Sequence, residues 1–169
     1  MKRGSRLARS GGLFPTRILL ATDGSNEAVL AEDAAVEISG STGSELHVVH
    51  VVLIVFDLPY PRGSLRERNE AVLDRRKIRG LRLLEERVRR IEDLGGAVAA
   101  SHYREGNPEK EVLGLASELE AGLIITGGQR RPWFERIFGA GFSEHVFKRA
   151  DRPVLVVSDS EHEGSALPR

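Results

Sequence analysis

The apolar positions of this chain fall into short unbroken runs, separated by segments in which they recur every three or four residues. Arg17-Ile18-Leu19-Leu20-Ala21-Thr22 is the first run, closed by Asp23-Gly24-Ser25. It predicts a buried strand ending in a turn. Ser25 is a good helix N-cap. Ala28, Ala31, Ala35 and Ile38 follow at helical spacing, with Gly40 as the expected stop. Leu46 to Ile54 (LHVVHVVLI) is β-branched and nearly continuous, the pattern of a strand covered on both faces. The segment 55–94 opens with Pro59 and Pro61, an expected loop. From Ile78 onward Leu81, Leu84, Val88 and Ile91 predict a helix with one apolar stripe, ended by Gly95-Gly96. Ala97 to Ala100 is a weaker strand. Asn107 and Pro108 suit the cap and first position of the next helix, and Val112, Leu115, Ala116 and Leu119 give its buried stripe. Leu123 to Thr126 is a buried strand closed by Gly127-Gly128. A longer loop leads to a short helix from about Ser143 to Arg149, and Pro153 opens a last strand, Val154 to Val157.

Strands that alternate with helices imply parallel pairing through right-handed crossovers. The expected fold is an α/β open doubly wound sheet of five parallel strands, in three α/β/α layers. Ligands of such sheets bind beyond the carboxyl ends of the strands, where strand order reverses. The segments expected there are Asp23-Gly24-Ser25, the stretch after Val51, and Gly127 to Ser143. One folded domain is expected over 16–158. A basic tail at 1–15, with Lys2, Arg3, Arg6 and Arg9, and a polar tail at 159–169 flank it.

Charge narrows the chemistry. Twenty-five Lys and Arg balance 25 Asp and Glu, so no global field favours nucleic acid or an anionic membrane. No apolar run is long enough for a membrane span. The chain has no Cys, which excludes disulfides, thiolate nucleophiles and Cys-based zinc sites. It has no phosphate-loop lysine motif and no G-x-S-x-G elbow, and Gly139-Ala140-Gly141 supplies only G-x-G. His47 and His50 lie three apart in a strand, so they face opposite sides and cannot chelate one metal. Asp23 has two readings. Its carboxylate can accept from a ribose hydroxyl or a base amine, or it can begin the helix through an Asx turn. The loop after Gly127 offers backbone amides and a helix N-terminus to phosphate, with Arg130 and Arg131 as anion-binding forks. Trp133 and Phe134 in the same loop fit core packing or the covering of a base.

Taken in order, these segments resemble the universal stress protein family over nearly all of residues 16–158. The likeness rests on Arg17 to Ser25, Leu46 to Val52, Gly106-Asn107-Pro108, Leu123 to Gly127, Phe142 to Val146 and Arg152 to Val157. The resemblance implies a Rossmann-like sheet of the adenine nucleotide alpha hydrolase type. It also implies a homodimer formed through the last strand, Val154 to Ser158. Some members bind ATP or AMP. The corresponding positions here are Ala21, Thr22, Asp23, Val51, Gly127, Arg130, Ala140, Gly141, Phe142 and Ser143. The aspartate and the backbone at Val51 would hold the adenosine part. The phosphates would lie on a G-x2-G-x9-G-[ST] loop.

That loop begins properly at Gly127, but Arg130 replaces its second glycine, Ala140 its third and Gly141 its hydroxyl residue, with Ser143 just beyond. Two effects oppose each other. A side chain at 130 obstructs close backbone approach, whereas Arg130 and Arg131 offer charge in place of amides. The expected function is a non-catalytic, cytoplasmic stress-response module binding adenine nucleotide, with no catalytic or metal-ligating residues. The alternative is a dimeric interaction protein that has lost the nucleotide. An enzyme ranks last, since no nucleophile–base pair is visible.

Overall fold

A computed structural model describes residues 16–54, 65–128 and 142–158, with side chains of 65–71, 142 and 143 excepted. Both tails, Pro59, Pro61, Trp133 and Phe134 lie outside the described residues. So do the phosphate-loop positions Arg130, Ala140 and Gly141.

The elements alternate without exception among the described residues: β1 (Arg17–Ala21), α1 (Asn26–Thr42), β2 (Glu45–Leu53), α2 (Leu65–Asp93), β3 (Val98–Gly106), α3 (Pro108–Glu118), β4 (Leu123–Gly127), α4 (Phe142–Arg149) and β5 (Val154–Val157). All pairings are parallel, and the strand order is β3-β2-β1-β4-β5. The expected five-stranded parallel α/β sheet is therefore the observed one. Order reverses between β1 and β4, where Ala21 stands opposite Thr126.

β1 explains why the sheet has this centre. Ile18, Leu19 and Leu20 are all fully buried, so successive residues feed both faces. Ile18 and Leu20 join Leu46, Val48, Ala31 and Ala35 on the face covered by α1 and α2. Leu19 and Ala21 join Val49, Val112, Leu115, Ile124 and Val146 on the face covered by α3 and α4. Arg152 secures the second face: its guanidinium donates to the carbonyls of Ala116 and Ala121 and to the Ser117 hydroxyl.

Three expectations change in detail. α1 runs past Gly40 to Thr42 and stops at Gly43, the residue in the left-handed region (φ 66°) that closes the helix on Ser39. α2 begins at Leu65, well before Ile78. Its inward row is Gly80, Leu84 and Ile91, while Ile78 and Leu81 are 52% and 43% exposed. A Cβ at Gly80 would stand 2.8 Å from both Tyr103 and Val52, so the helix crosses closest to the sheet at its smallest residue. β3 extends from Val98 to Gly106, well beyond the expected Ala100.

His47 and His50 do face opposite sides. The His47 ring stacks on His102, which had no evident partner in sequence, with Nδ1 and Nε2 3.2 Å apart across β2 and β3. Burial, then His47 and Arg104, hold the His102 ring below the usual histidine range; Glu118 on α3 pulls the other way. The folded chain therefore takes up this proton less readily than the unfolded chain. The resulting contribution to stability is present above the ordinary value of 6.5 and is lost as pH falls below it. Urea unfolding at about pH 7.5 and 5.5 tests this: the wild type should lose more stability between the two than His102→Gln, and equal losses would refute it.

Candidate functional site

The crevice expected where strand order reverses is built from the ends of β1, β2 and β4. Beyond Ala21 the chain turns through Thr22, Asp23, Gly24 (φ 75°) and Ser25 into α1. Asp23 is exposed, and its Oδ1 accepts the Ser25 N–H at 3.0 Å, an Asx turn. The Ser25 hydroxyl oxygen accepts from the Ala28 N–H at 3.2 Å and caps α1. The turn that begins the helix is thus the observed local role of Asp23, and it leaves the residue at the surface of the crevice.

Val51 lies on the part of β2 that continues past the end of β1. The Val49 carbonyl accepts from Thr22 N–H, and Ile54 N–H donates to Gly106 of β3. In a parallel ladder alternate residues point both backbone groups the same way. Val51 therefore directs its N–H and C=O toward the β1 side, above the residue where β1 has ended. This is an edge presented to the space over the Asp23 turn.

On the other side, β4 ends at Gly127 beside β1. A Cβ there would stand 2.6–2.7 Å from backbone atoms of Glu27 and Ala28, so the first turn of α1 rests directly on Gly127. Close packing is thus a sufficient reason for this glycine. The next residue, Gly128, donates its N–H to the Val157 carbonyl at 2.7 Å and so continues the pairing of β4 with β5. Phe142 and Ser143 are the first residues of α4. That helix is tied to the start of α3 by Glu109, which pairs with His145 at 3.3 Å and Arg149 at 3.0 Å. Among the positions named from sequence, Ala21, Thr22, Asp23, Val51 and Gly127 stand around one end of the sheet. Among the described residues, no group of three or more His, Cys, Asp or Glu side chains can hold a metal.

Beneath the crevice lies a group that the motif reading passed over. Glu32 of α1 is fully buried. Its Oε1 accepts the Thr22 hydroxyl at 2.8 Å and its Oε2 accepts Arg90 Nη1 of α2 at 3.1 Å. Burial pushes its carboxyl above the ordinary carboxylate value, against the pull of Thr22, Arg87 and Arg90. The signal was in the sequence: Glu32 falls within the row Ala28, Ala31, Ala35 that the alanines mark as buried. His50 completes the setting, donating from Nδ1 to the Thr22 carbonyl at 2.8 Å.

The contact at Gly127 yields a measurable consequence. Gly127→Ala forces β4 and α1 apart and should cost about 2–3 kcal/mol, in the range of overpacked cores. Chemical denaturation reads it, and a change below about 0.5 kcal/mol would show that the helix gives way freely.

Comparison with known proteins agrees with this architecture. The sequence profile of the universal stress protein family matches residues 15–158. A universal stress protein of Methanocaldococcus jannaschii is 28% identical over 157 residues, covering 93% of this chain and 90% of that one. A solved universal stress protein in complex with cAMP is similar at 20% identity, with a TM-score of 0.61, over 86% of this chain and 98% of that one. One from Archaeoglobus fulgidus in complex with dAMP is similar at 19% identity, with a TM-score of 0.55, over 86% of this chain and 99% of that one. With the profile spanning the whole sheet, from the start of β1 past the end of β5, the chain belongs to the universal stress protein family.

Proposed function

We propose that this chain is a non-catalytic stress-response module that binds an adenine nucleotide, ATP or AMP, at the carboxyl ends of β1, β2 and β4. The observation that carries the reading is the juxtaposition of an exposed carboxylate with a backbone edge on one crevice. Adenine offers an amine donor and ring-nitrogen acceptors along one side. The Val51 C=O and N–H suit such a pair, and Asp23 suits the ribose hydroxyls, acting as acceptor only. Support also comes from the solved relatives whose bound ligands are cAMP and dAMP. The family's phosphate positions correspond in this sequence to Gly127, Arg130, Ala140, Gly141, Phe142 and Ser143; of these, Ser143 lies in the first turn of α4, and a helix N-terminus favours an anion. The role needs no nucleophile or metal. A cytoplasmic location accords with the absence of Cys.

A second reading is favoured by one specific observation: the phosphate loop keeps only the first of its glycine and hydroxyl positions. In that reading the chain acts without nucleotide, as a homodimer paired through β5 and Ser158. β5 is an edge strand of four aliphatic residues, and Val156 is 38% exposed. Pairing with a second copy would cover that edge.

Isothermal titration with ATP and AMP separates the two. The first reading expects saturable binding, weakened about tenfold or more in Asp23→Ala, the order expected for losing a hydrogen bond to a charged group. No binding at about millimolar nucleotide, equivalent to less than about 4 kcal/mol of affinity, would overturn it in favour of the second.

A further inference from the structure

Glu32 is the one buried carboxylate among the described residues, and every partner it has leads toward the crevice or away to α2. We propose that Glu32 is a positioning residue for the nucleotide site: its carboxylate, gripped by Arg90 of α2, fixes Thr22 and, through Thr22, the Asp23-Gly24-Ser25 turn. The functional part of this proposal rests on the nucleotide reading above.

The argument begins with a count of donors and acceptors. Two donors converge on Glu32 from different elements, the Thr22 hydroxyl and the Arg90 guanidinium. A carboxylate accepts from both as they stand; an amide would keep both only by reversing the Thr22 hydroxyl into an acceptor, and an alanine keeps neither. Thr22 is then held at each polar group. Its N–H donates to the Val49 carbonyl, its C=O accepts from His50 and its hydroxyl donates to Glu32. Asp23 is the next residue, so the direction in which it leaves β1 is set by Thr22. α2 also meets the turn directly, because Leu83 Cδ1 occupies the space 2.7 Å from where a Gly24 Cβ would be.

A simpler role would be a staple between α1 and α2. Asp33 already does this at the surface, taking the other Arg90 nitrogen at 2.7 Å without reaching Thr22. Burying a charge to repeat a staple would be costly, whereas burying it to hold the Thr22 hydroxyl has no surface substitute. Asp33 also supplies the control that distinguishes the two roles.

Two readouts test the proposal on the full chain. In the ligand-free protein, amide hydrogen exchange should accelerate about tenfold at Gly24 and Ser25 in Glu32→Ala and at Ser25 in Thr22→Val, with Asp33→Asn unchanged. Thr22→Val removes the same bond from the other side, together with the acceptor of the Gly24 N–H at 3.4 Å, so Ser25 is its readout; it covers the case in which Glu32→Ala does not fold. In titrations with AMP, each of the two variants should bind about tenfold more weakly, and the double variant no more weakly than either alone. Exchange and affinity within twofold of wild type in both variants would overturn the proposal, as would an equal loss in Asp33→Asn. Wild-type protein that fails to bind AMP while its Gly24 and Ser25 amides still depend on Glu32 would overturn the nucleotide reading and leave the positioning role standing.

Discussion

The pairing of β1 with β2 on one side and β4 on the other is the constraint from which the rest follows. It requires a strand that is apolar at every position, because both faces and both edges are covered, and Ile18-Leu19-Leu20 meets that requirement. It sends the crossovers in opposite directions from the centre, so the chain leaves β1 and β4 toward different layers and opens a gap between their ends. Beside it, Gly127 admits the backbone of α1 where any side chain would hold it off. The position of the crevice is thus a consequence of one pair of ladders.

Much of this was legible in the residues. Continuous runs such as Leu46 to Ile54 and Leu123 to Thr126 declare buried parallel strands, and Ser25 and Asn107 declare helix starts that the capping bonds bear out. Of the stripe expected on α2, Leu84, Val88 and Ile91 do face the core, and the exceptions are its first two positions. The apolar row Ile78, Leu81 looks like a core face, yet the sheet is met by Gly80, whose want of a side chain is what permits the approach. The end of α1 was misjudged for a related reason. Gly40 is tolerated inside the helix with open space around it, and only Gly43 takes the left-handed turn that ends it.

The site divides along the same line. As candidates, Asp23 and Gly127 are readable because each sits where a strand ends, the place where ligands of this architecture collect, whereas Val51 is named by the family resemblance. For Glu32 the alanine row makes burial legible but not a link to the turns, because it lies in the middle of a helix. Its meaning depends on contacts at separations of 10 residues to Thr22 and 58 to Arg90, which no local pattern encodes. The same holds for His47 and His102, 55 residues apart and joined only by the register of β2 on β3.

The buried carboxylate under Thr22 has one more implication, which concerns temperature. Hydration of ions loses its advantage on warming, because ordered water around them is released at an increasing entropic gain. The desolvation that opposes a charged Glu32 is therefore greatest in the cold and smallest in the heat. A wall fastened by this ion-pair network holds relatively better as the surroundings grow hotter, while apolar contacts alone gain little over the same range.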